Sequence, residues 1–356
     1  MQHRLPEEDL DHIIRHTEGL WDEMRDKRIF ITGGTGFFGS WLLESFAWAN
    51  DRLHLNSSAV VLTRDPDAFS RKTPHLWSNP SIRFHAGDVR NFELPEGKFS
   101  HIIHAATGTD KDAAMQNPVS RFESMVQGTR QTLEFARYCG AGKFLFASSG
   151  AVYGKQPPEL THVPEEYSGA PETINPLSAN GEAKRVSEFL CAMHAELHGF
   201  EAKIARCFAF VGPHLPLDGN FAIGNFIRDA LKGGPILVNG DGTPYRSYLY
   251  AADLAIWLWA ILFRGTSCRP YNVGSESEVT IAGLAREVAA AVAPQAEVRI
   301  ALAANTGFNA ERYVPSTRRA HMELGLRQHI SLRDAIQRTA AWYSQRTGTE
   351  EVAKIR

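Results

Sequence analysis

The chain has only four cysteines in 356 residues, and none forms a Cys-x-x-Cys pair, which excludes a disulfide scaffold and a zinc knuckle. Cys139, Cys191, Cys207 and Cys268 all sit in apolar or mixed segments, so buried thiols in a reducing compartment are expected. Charge of either sign is not in excess: 38 Lys and Arg face 40 Asp and Glu, a net of -2. Nothing global therefore points to nucleic acid or an acidic membrane surface. No apolar run reaches the roughly 20 residues a membrane helix needs; Leu254 to Phe263 is far too short and is closed by Arg264. Met1 to Asp9 is too acidic and polar for a signal peptide. The 14 histidines show no metal-type spacing; His101 reads as structural and His104 stays open. There is no internal repeat and no low-complexity run. These absences leave a soluble cytoplasmic protein that uses no metal, nucleic acid or membrane.

What is present is a chain 43% hydrophobic and 22% charged, enough for one large domain or two smaller ones. Its most informative stretch runs from Arg28 to Gly39. An apolar strand leads into Gly33, Gly36 and Gly39, and a helical pattern follows from Ser40. Gly33 permits a turn, Gly36 lets backbone approach a pyrophosphate, and Gly39 lets helix pack on strand. The helix N-terminus then offers N–H groups and a positive dipole end to phosphates. Apolar strands at 59–63, 82–86, 101–106, 143–148 and 201–207 alternate with helical segments, including 113–139 and 179–198. That alternation predicts an α/β fold, a Rossmann-type doubly wound parallel sheet with ligands at the strands' carboxyl ends. Residues 1–26 read as a helical extension, with an amphipathic helix over 7–25. The dinucleotide-binding domain is expected over 27–211 plus about 236–265, and a smaller substrate lobe over 212–235 plus 266–356.

Further motifs carry a family resemblance. They are Gly87-Asp-Val89, His104-Ala-Ala106, Gly128-Thr129, Ser148-Ser-Gly-Ala-Val-Tyr-Gly154, Gly181-Glu-Ala-Lys184, Arg206, Val211-Gly-Pro213, Gly240-Asp-Gly-Thr-Pro-Tyr-Arg246 and Tyr271-Asn-Val-Gly274. In number and order they resemble the extended short-chain dehydrogenase/reductase family, in its nucleotide-sugar epimerase and dehydratase branch. The resemblance covers nearly all of Lys27 to Tyr343. It implies bound NAD(P), a nucleotide-sugar substrate and a homodimer formed by the two long helices.

In that family a Ser or Thr, a Tyr and a Lys act together, and the Tyr is the general acid/base. The resemblance assigns Ser149 and Lys184, but the Tyr-x-x-x-Lys position holds Asn180, which cannot ionise. Three readings stay open: an engineered inactive variant, a natural member using another acid/base, and a binding protein that has lost the chemistry. The first two together are favoured over the third. Gly150 and Ala151 occupy the positions of the dehydratases' Asp-Glu pair, and Met125 that of a relay Asn. Hydride transfer at a ring carbon, as in an epimerase or keto-reductase, is thus preferred over dehydration. The cofactor contacts implied are Gly33, Thr35, Gly36, Phe37, Phe38, Gly39, Asp88, Val89, Ala105, Ala106 and Lys184. The second strand ends Thr63-Arg64-Asp65. Arg64 suits a 2'-phosphate and tips the reading slightly to NADP, while Asp65 leaves NAD open through a shift in register. For the substrate the resemblance implies Ser149, Arg246 on a diphosphate, Asn220 and Arg312; Tyr153 reads as packing.

Overall fold

The computed structural model describes residues 4–107, 117–303 and 310–354, with side chains described to residue 345. In chain order the strands are β1 (Arg28–Thr32), β2 (Ser58–Thr63), β3 (Ile82–Ala86), β4 (His101–His104), β5 (Lys143–Ser149), β6 (Glu201–Cys207) and β7 (Phe210–Val211). There follow β8 (Ile236–Val238), β9 (Tyr245–Ser247), β10 (Leu249–Tyr250), β11 (Pro270–Val273), β12 (Glu278–Thr280), β13 (Val298–Ile300) and β14 (Arg312–Tyr313). Among the described residues the main sheet has seven strands, ordered β11-β6-β5-β4-β1-β2-β3, all parallel. The order reverses at β1, so the crevice for a dinucleotide opens above β1 and β4. The inner strands are short apolar runs because helices cover both faces; Ile29, Phe30 and Ile31 of β1 are all fully buried.

The helix Ala251–Arg264 shows how the cover is made. Every residue from Ala251 to Phe263 is buried, including Trp257 and Trp259. A helix apolar all round must be enclosed on all sides. The sheet encloses it through β5 and β6, and the N-terminal helix Glu7–His16 lies on its other side. Asp9 of that helix is buried, accepts from Tyr250 Oη at 2.6 Å and pairs with Arg338. Asp253 accepts from the backbone N–H of His329 and Ile330 and faces His12 at 3.2 Å. The extension therefore packs on the body of its own chain.

Several expectations change. The first helix ends at His16 and a 3-10 turn covers Trp21–Met24, because Gly19 between them takes φ +73. β8 pairs with β13, and β9 with β12 and β14, so neither joins the main sheet. β11, expected in the lobe, pairs with β6 at the edge of the main sheet. Cys268 is exposed at φ +57, whereas the other three thiols are buried. The long helix expected from Ala113 has its first residues outside those described; its described part is Pro118–Cys139, capped by Asn117 Oδ1 on the Ser120 N–H.

Candidate functional site

The glycine loop is fixed by sterics. Gly33 has φ +73, and a Cβ there would stand 2.5 Å from the Ala105 carbonyl carbon at the end of β4. A Cβ on Gly39 would stand 2.3 Å from Gly33 O and the Gly34 backbone. On Gly36 it would meet only Gly33 O, at 3.4 Å, so this glycine keeps a face open. Gly36 also opens the Phe37–Arg52 helix with no side-chain cap, leaving first-turn N–H groups for an outside acceptor. Beside it lies a cleft of about 400 Å³ lined by Gly33, Thr35, Gly36, Arg64, Asp88, Val89, Ala105 and Ala106. These features fit a pyrophosphate-linked dinucleotide. Phe37 and Phe38 turn to the core, where Phe38 meets the Phe210 ring edge-on at 5.1 Å. With Gly39 they are not among the residues lining that cleft.

Asp88 is held by Arg90, whose Nε and backbone N–H donate to it at 2.7 and 2.9 Å. Those bonds keep the Asp88 carboxyl below its usual range. Arg64 is exposed at the end of β2. Asp65 caps the Pro66–Lys72 helix, its Oδ1 accepting from the Ala68 N–H at 2.8 Å. His104 is structural: its ring spans Thr32 Oγ1 at 2.7 Å and Thr129 Oγ1 at 3.1 Å. Burial pushes it down to about 3, so it stays neutral. His101 ties β4 to Glu23 of the extension at 2.9 Å.

A second cleft of about 400 Å³ lies in the smaller lobe, lined by residues that include Asn220, Asn225, Arg228, Val238 and Gly240. Arg246 and Arg312 belong to the small sheet next to it. Arg246 donates to Glu311 at 2.9 Å and to Tyr245 O at 2.8 Å. Arg312 pairs with Glu278 and stacks on the Tyr245 ring at 4.1 Å.

Ser149 is the last residue of β5. On one side its strand adjoins β4, which leads to Ala105 and Ala106. On the other, Ser149 Oγ lies 3.5 Å from Tyr313 Oη, and Tyr313 is the register partner of Arg246. Lys184 is fully enclosed, donates to Ala147 O at 2.5 Å and lies 4.6 Å over the Phe146 ring. Burial lowers it to about 8. Asn180, one turn earlier on the same helix, accepts from Arg121 at 3.3 Å. Tyr153 is locked between Arg206 and Asn272 and pushed up to about 12 by burial. Arg206 also grips Glu188 with two nitrogens, which seals the floor beneath Ser148.

Tyr313 is the site residue that sequence reasoning missed. Its neighbour Arg312 drew attention by its charge. In a strand adjacent residues face opposite ways, so Arg312 goes to Glu278 while Tyr313 goes to Ser149. No spacing in the sequence links positions 149 and 313.

Residues 29–274 match the NAD dependent epimerase/dehydratase family. The chain is 31% identical over 312 residues to UDP-glucuronic acid decarboxylase 5 of Arabidopsis thaliana, with 87% of each chain covered. It is 30% identical over 328 residues to UDP-glucuronic acid decarboxylase 1 of the same plant, covering 92% of this chain and 72% of the relative. Among solved structures, a dTDP-glucose 4,6-dehydratase from Streptomyces venezuelae with NAD and TYD bound is similar at a TM-score of 0.75. It is 25% identical, over 90% of this chain and 98% of that one. An epimerase from Methanothermobacter thermautotrophicus has the same fold at a TM-score of 0.77 and 20% identity, over 94% and 97% of the two chains.

Proposed function

Because the chain belongs to the NAD dependent epimerase/dehydratase family, we propose that it modifies nucleotide sugars by hydride transfer at a ring carbon, as an epimerase or keto-reductase. The observation that carries this reading is the placement of Ser149 at the end of β5, next to the strand that leads to Ala105 and Ala106, and 3.5 Å from Tyr313, the register partner of Arg246. A sugar whose diphosphate meets Arg246 would bring a ring hydroxyl to Ser149 Oγ. A bound nicotinamide dinucleotide supplies or accepts the hydride. Gly33, Gly36 and the helix N-terminus hold its phosphates, and Asp88, Val89, Ala105 and Ala106 hold its adenosine and ribose side. Ser149 hydrogen-bonds the substrate oxygen. Lys184 fixes the end of β5 and brings a positive charge beneath it. Asn180 takes the position of the usual acid/base Tyr and is engaged by Arg121. Gly150 and Ala151 offer no acid to expel a hydroxyl, which argues against dehydration.

Arg64 supports NADP over NAD, and Asp65 beside it caps a helix through Oδ1. The four free thiols support a reducing, cytoplasmic setting, and no described helix is long and apolar enough to cross a membrane. A homodimer through the helices Pro118–Cys139 and Ala179–His198 is supported by their bare apolar side chains. Phe189 is 65% exposed and Leu197 77%, with Met193 between them one turn from each.

The test is calorimetry with NAD, NADH, NADP and NADPH, then with UDP-glucose, UDP-glucuronic acid and dTDP-glucose, followed by single-turnover absorbance of the nicotinamide. UDP-glucuronic acid belongs in the panel because a ketone formed β to a carboxylate loses CO2 without a further catalytic group. Binding of no dinucleotide would remove the proposal. Tight binding of both ligands with no hydride transfer in any combination would instead favour a catalytically silent binding protein.

A further inference from the structure

We propose that Tyr313 is the proton donor and acceptor of this site, in place of the phenol that Asn180 does not provide; this deepens the nucleotide-sugar reading and rests on it. The first ground is distance. Tyr313 Oη and Ser149 Oγ are 3.5 Å apart. Two hydroxyls so spaced can both reach one substrate oxygen at about 2.8 Å, the ordinary O–H···O length. Geometry of that kind is the first requirement for general acid/base work.

The second ground is room made for the phenol. A Cβ on Gly150 would stand 2.8 Å from Tyr313 Oη and 2.7 Å from the Phe208 ring. Any side chain at position 150 would therefore drive the phenol from Ser149. The glycine that removes an acid after Ser149 is the same glycine that admits Tyr313.

The third ground is rigidity. The Val314 N–H donates to Gln156 Oε1 at 3.0 Å, and Gln156 is itself tied to Leu160 O and Thr161 O. The Val163 N–H donates to Val314 O, and the Ser316 N–H to Val163 O, both at 2.9 Å. The segment that follows Ser149 thus grips the strand bearing Tyr313. The Phe208 ring packs on the phenol with centroids 4.7 Å apart. A side chain so held loses little entropy on meeting substrate.

Asn180 cannot compete for the role. It carries no exchangeable charge and its amide oxygen faces the Arg121 guanidinium. The surroundings of Tyr313 keep it a protonated phenol. Burial holds the phenol at about 12, against partial relief from the Ser149 bond, Arg246 and the Ala151 amide. Reduction of a keto sugar takes a hydride at carbon from a reduced nicotinamide dinucleotide and a proton at oxygen from Tyr313 Oη. The carbonyl becomes a hydroxyl, and the phenolate left behind regains its proton from solvent. In the opposite direction Tyr313 must first give its own proton to solvent, and the phenolate so formed takes the hydroxyl proton as hydride leaves the carbon.

The experiment has two readouts on the full chain. In the first, 3-fluorotyrosine replaces the nine tyrosines, and the fluorine resonance of Tyr313 is assigned by its loss in Tyr313→Phe. UDP-glucose, UDP-glucuronic acid and dTDP-glucose are added with each dinucleotide, and binding is followed in parallel by calorimetry. The Tyr313 resonance is expected to shift with any sugar that binds. A bound sugar that leaves it unmoved overturns the proposal, and binding of none of the three overturns both the proposal and the nucleotide-sugar reading. In the second, single-turnover hydride transfer is measured with the sugars that bind. Tyr313→Phe, an isosteric change whose folding is checked by melting, should slow it at least 100-fold, with both ligand affinities within threefold of the parent. Gly150→Ala should slow it by displacing the phenol, and Asn180→Tyr placed on Tyr313→Phe should recover part of the loss. A Tyr313→Phe rate within threefold of the parent, or no transfer by the parent with any bound sugar, overturns the proposal.

Discussion

The glycine loop and the Ser149 corner share one sheet edge but are made of different material. The loop is backbone. Seven consecutive residues from Gly33 to Gly39 make it, and its requirements are exclusions: no Cβ fits at Gly33 or Gly39. The corner is side chains, drawn from β5, the Ala179–His198 helix, β9 and β14. Its contact between Ser149 and Tyr313 joins residues 164 apart in sequence. A site made of backbone leaves a readable pattern of glycines. A site made of side chains on two- and three-residue strands leaves almost none, because such strands are too short to show alternation.

The largest effect should fall on the backbone site. In Gly39→Val the new side chain meets Gly33 O and Gly34 at separations no real Cβ adopts, so the loop or the helix must move. Dinucleotide binding should vanish from calorimetry and the melting temperature should drop. Gly36→Ala should keep its fold, since its Cβ reaches only Gly33 O at 3.4 Å, while losing affinity through the occupied phosphate path. Normal binding by Gly39→Val would refute the view that sterics alone define this half.

Next in size is a stability effect centred on His104, under the same sheet edge. Its folded value is about 3, below the ordinary 6.5. Between those values the unfolded chain binds a proton that the native chain refuses, so stability falls as pH falls and is fully present above the ordinary value. The slope should approach 1.4 kcal/mol per pH unit from this group. Melting curves from pH 7 to 4 should show it, and His104→Gln should flatten the dependence. An unchanged slope in that variant would mean that the acid sensitivity lies elsewhere, such as at His101 or Glu44.

These two contrasts explain how much of the molecule was legible. The helix at 179–198 is readable because Gly199 stops it, and the strand at 201–207 follows directly. β11 was passed over as a strand, although Tyr271-Asn-Val-Gly274 stood out as a motif, because its four residues lie beyond a long helix. β8 and β9 pair outside the main sheet, with partners such as β13 that are set by tertiary contacts no local pattern records. At the site, Ser149, Asn180 and Lys184 were found through sequence motifs. Tyr313 was not, because its meaning comes from Gly150 and Ser149 in space.

A more moderate effect should separate the two clefts. Arg246→Ala removes a cation that can grip a diphosphate from the small sheet. Loss of a charge-assisted hydrogen bond should cost about 1.5–3 kcal/mol in UDP and UDP-glucose affinity. Dinucleotide affinity should stay unchanged, since Arg246 does not line the glycine-loop cleft. Equal losses for both ligands in calorimetry would merge the two regions into one cooperative site and undo the comparison.

The smallest effect should come from Arg64, where the dinucleotide cleft itself depends on a side chain. Arg64 is exposed at the end of β2, and its charge also helps to hold the Asp88 carboxyl low. An exposed cation facing a 2'-phosphate is screened by water and salt, so the pair should be worth only about 0.2–1 kcal/mol. Arg64→Ala should therefore weaken NADPH up to about fivefold while leaving NADH within error, and raised salt should shrink the difference in the parent. The comparison of NADPH with NADH isolates the 2'-phosphate, because every other contact is common to both. If the parent prefers NADH, or if Arg64→Ala weakens the two dinucleotides equally, Arg64 does not read the phosphate. The selectivity of this half would then reside in the backbone, like its affinity.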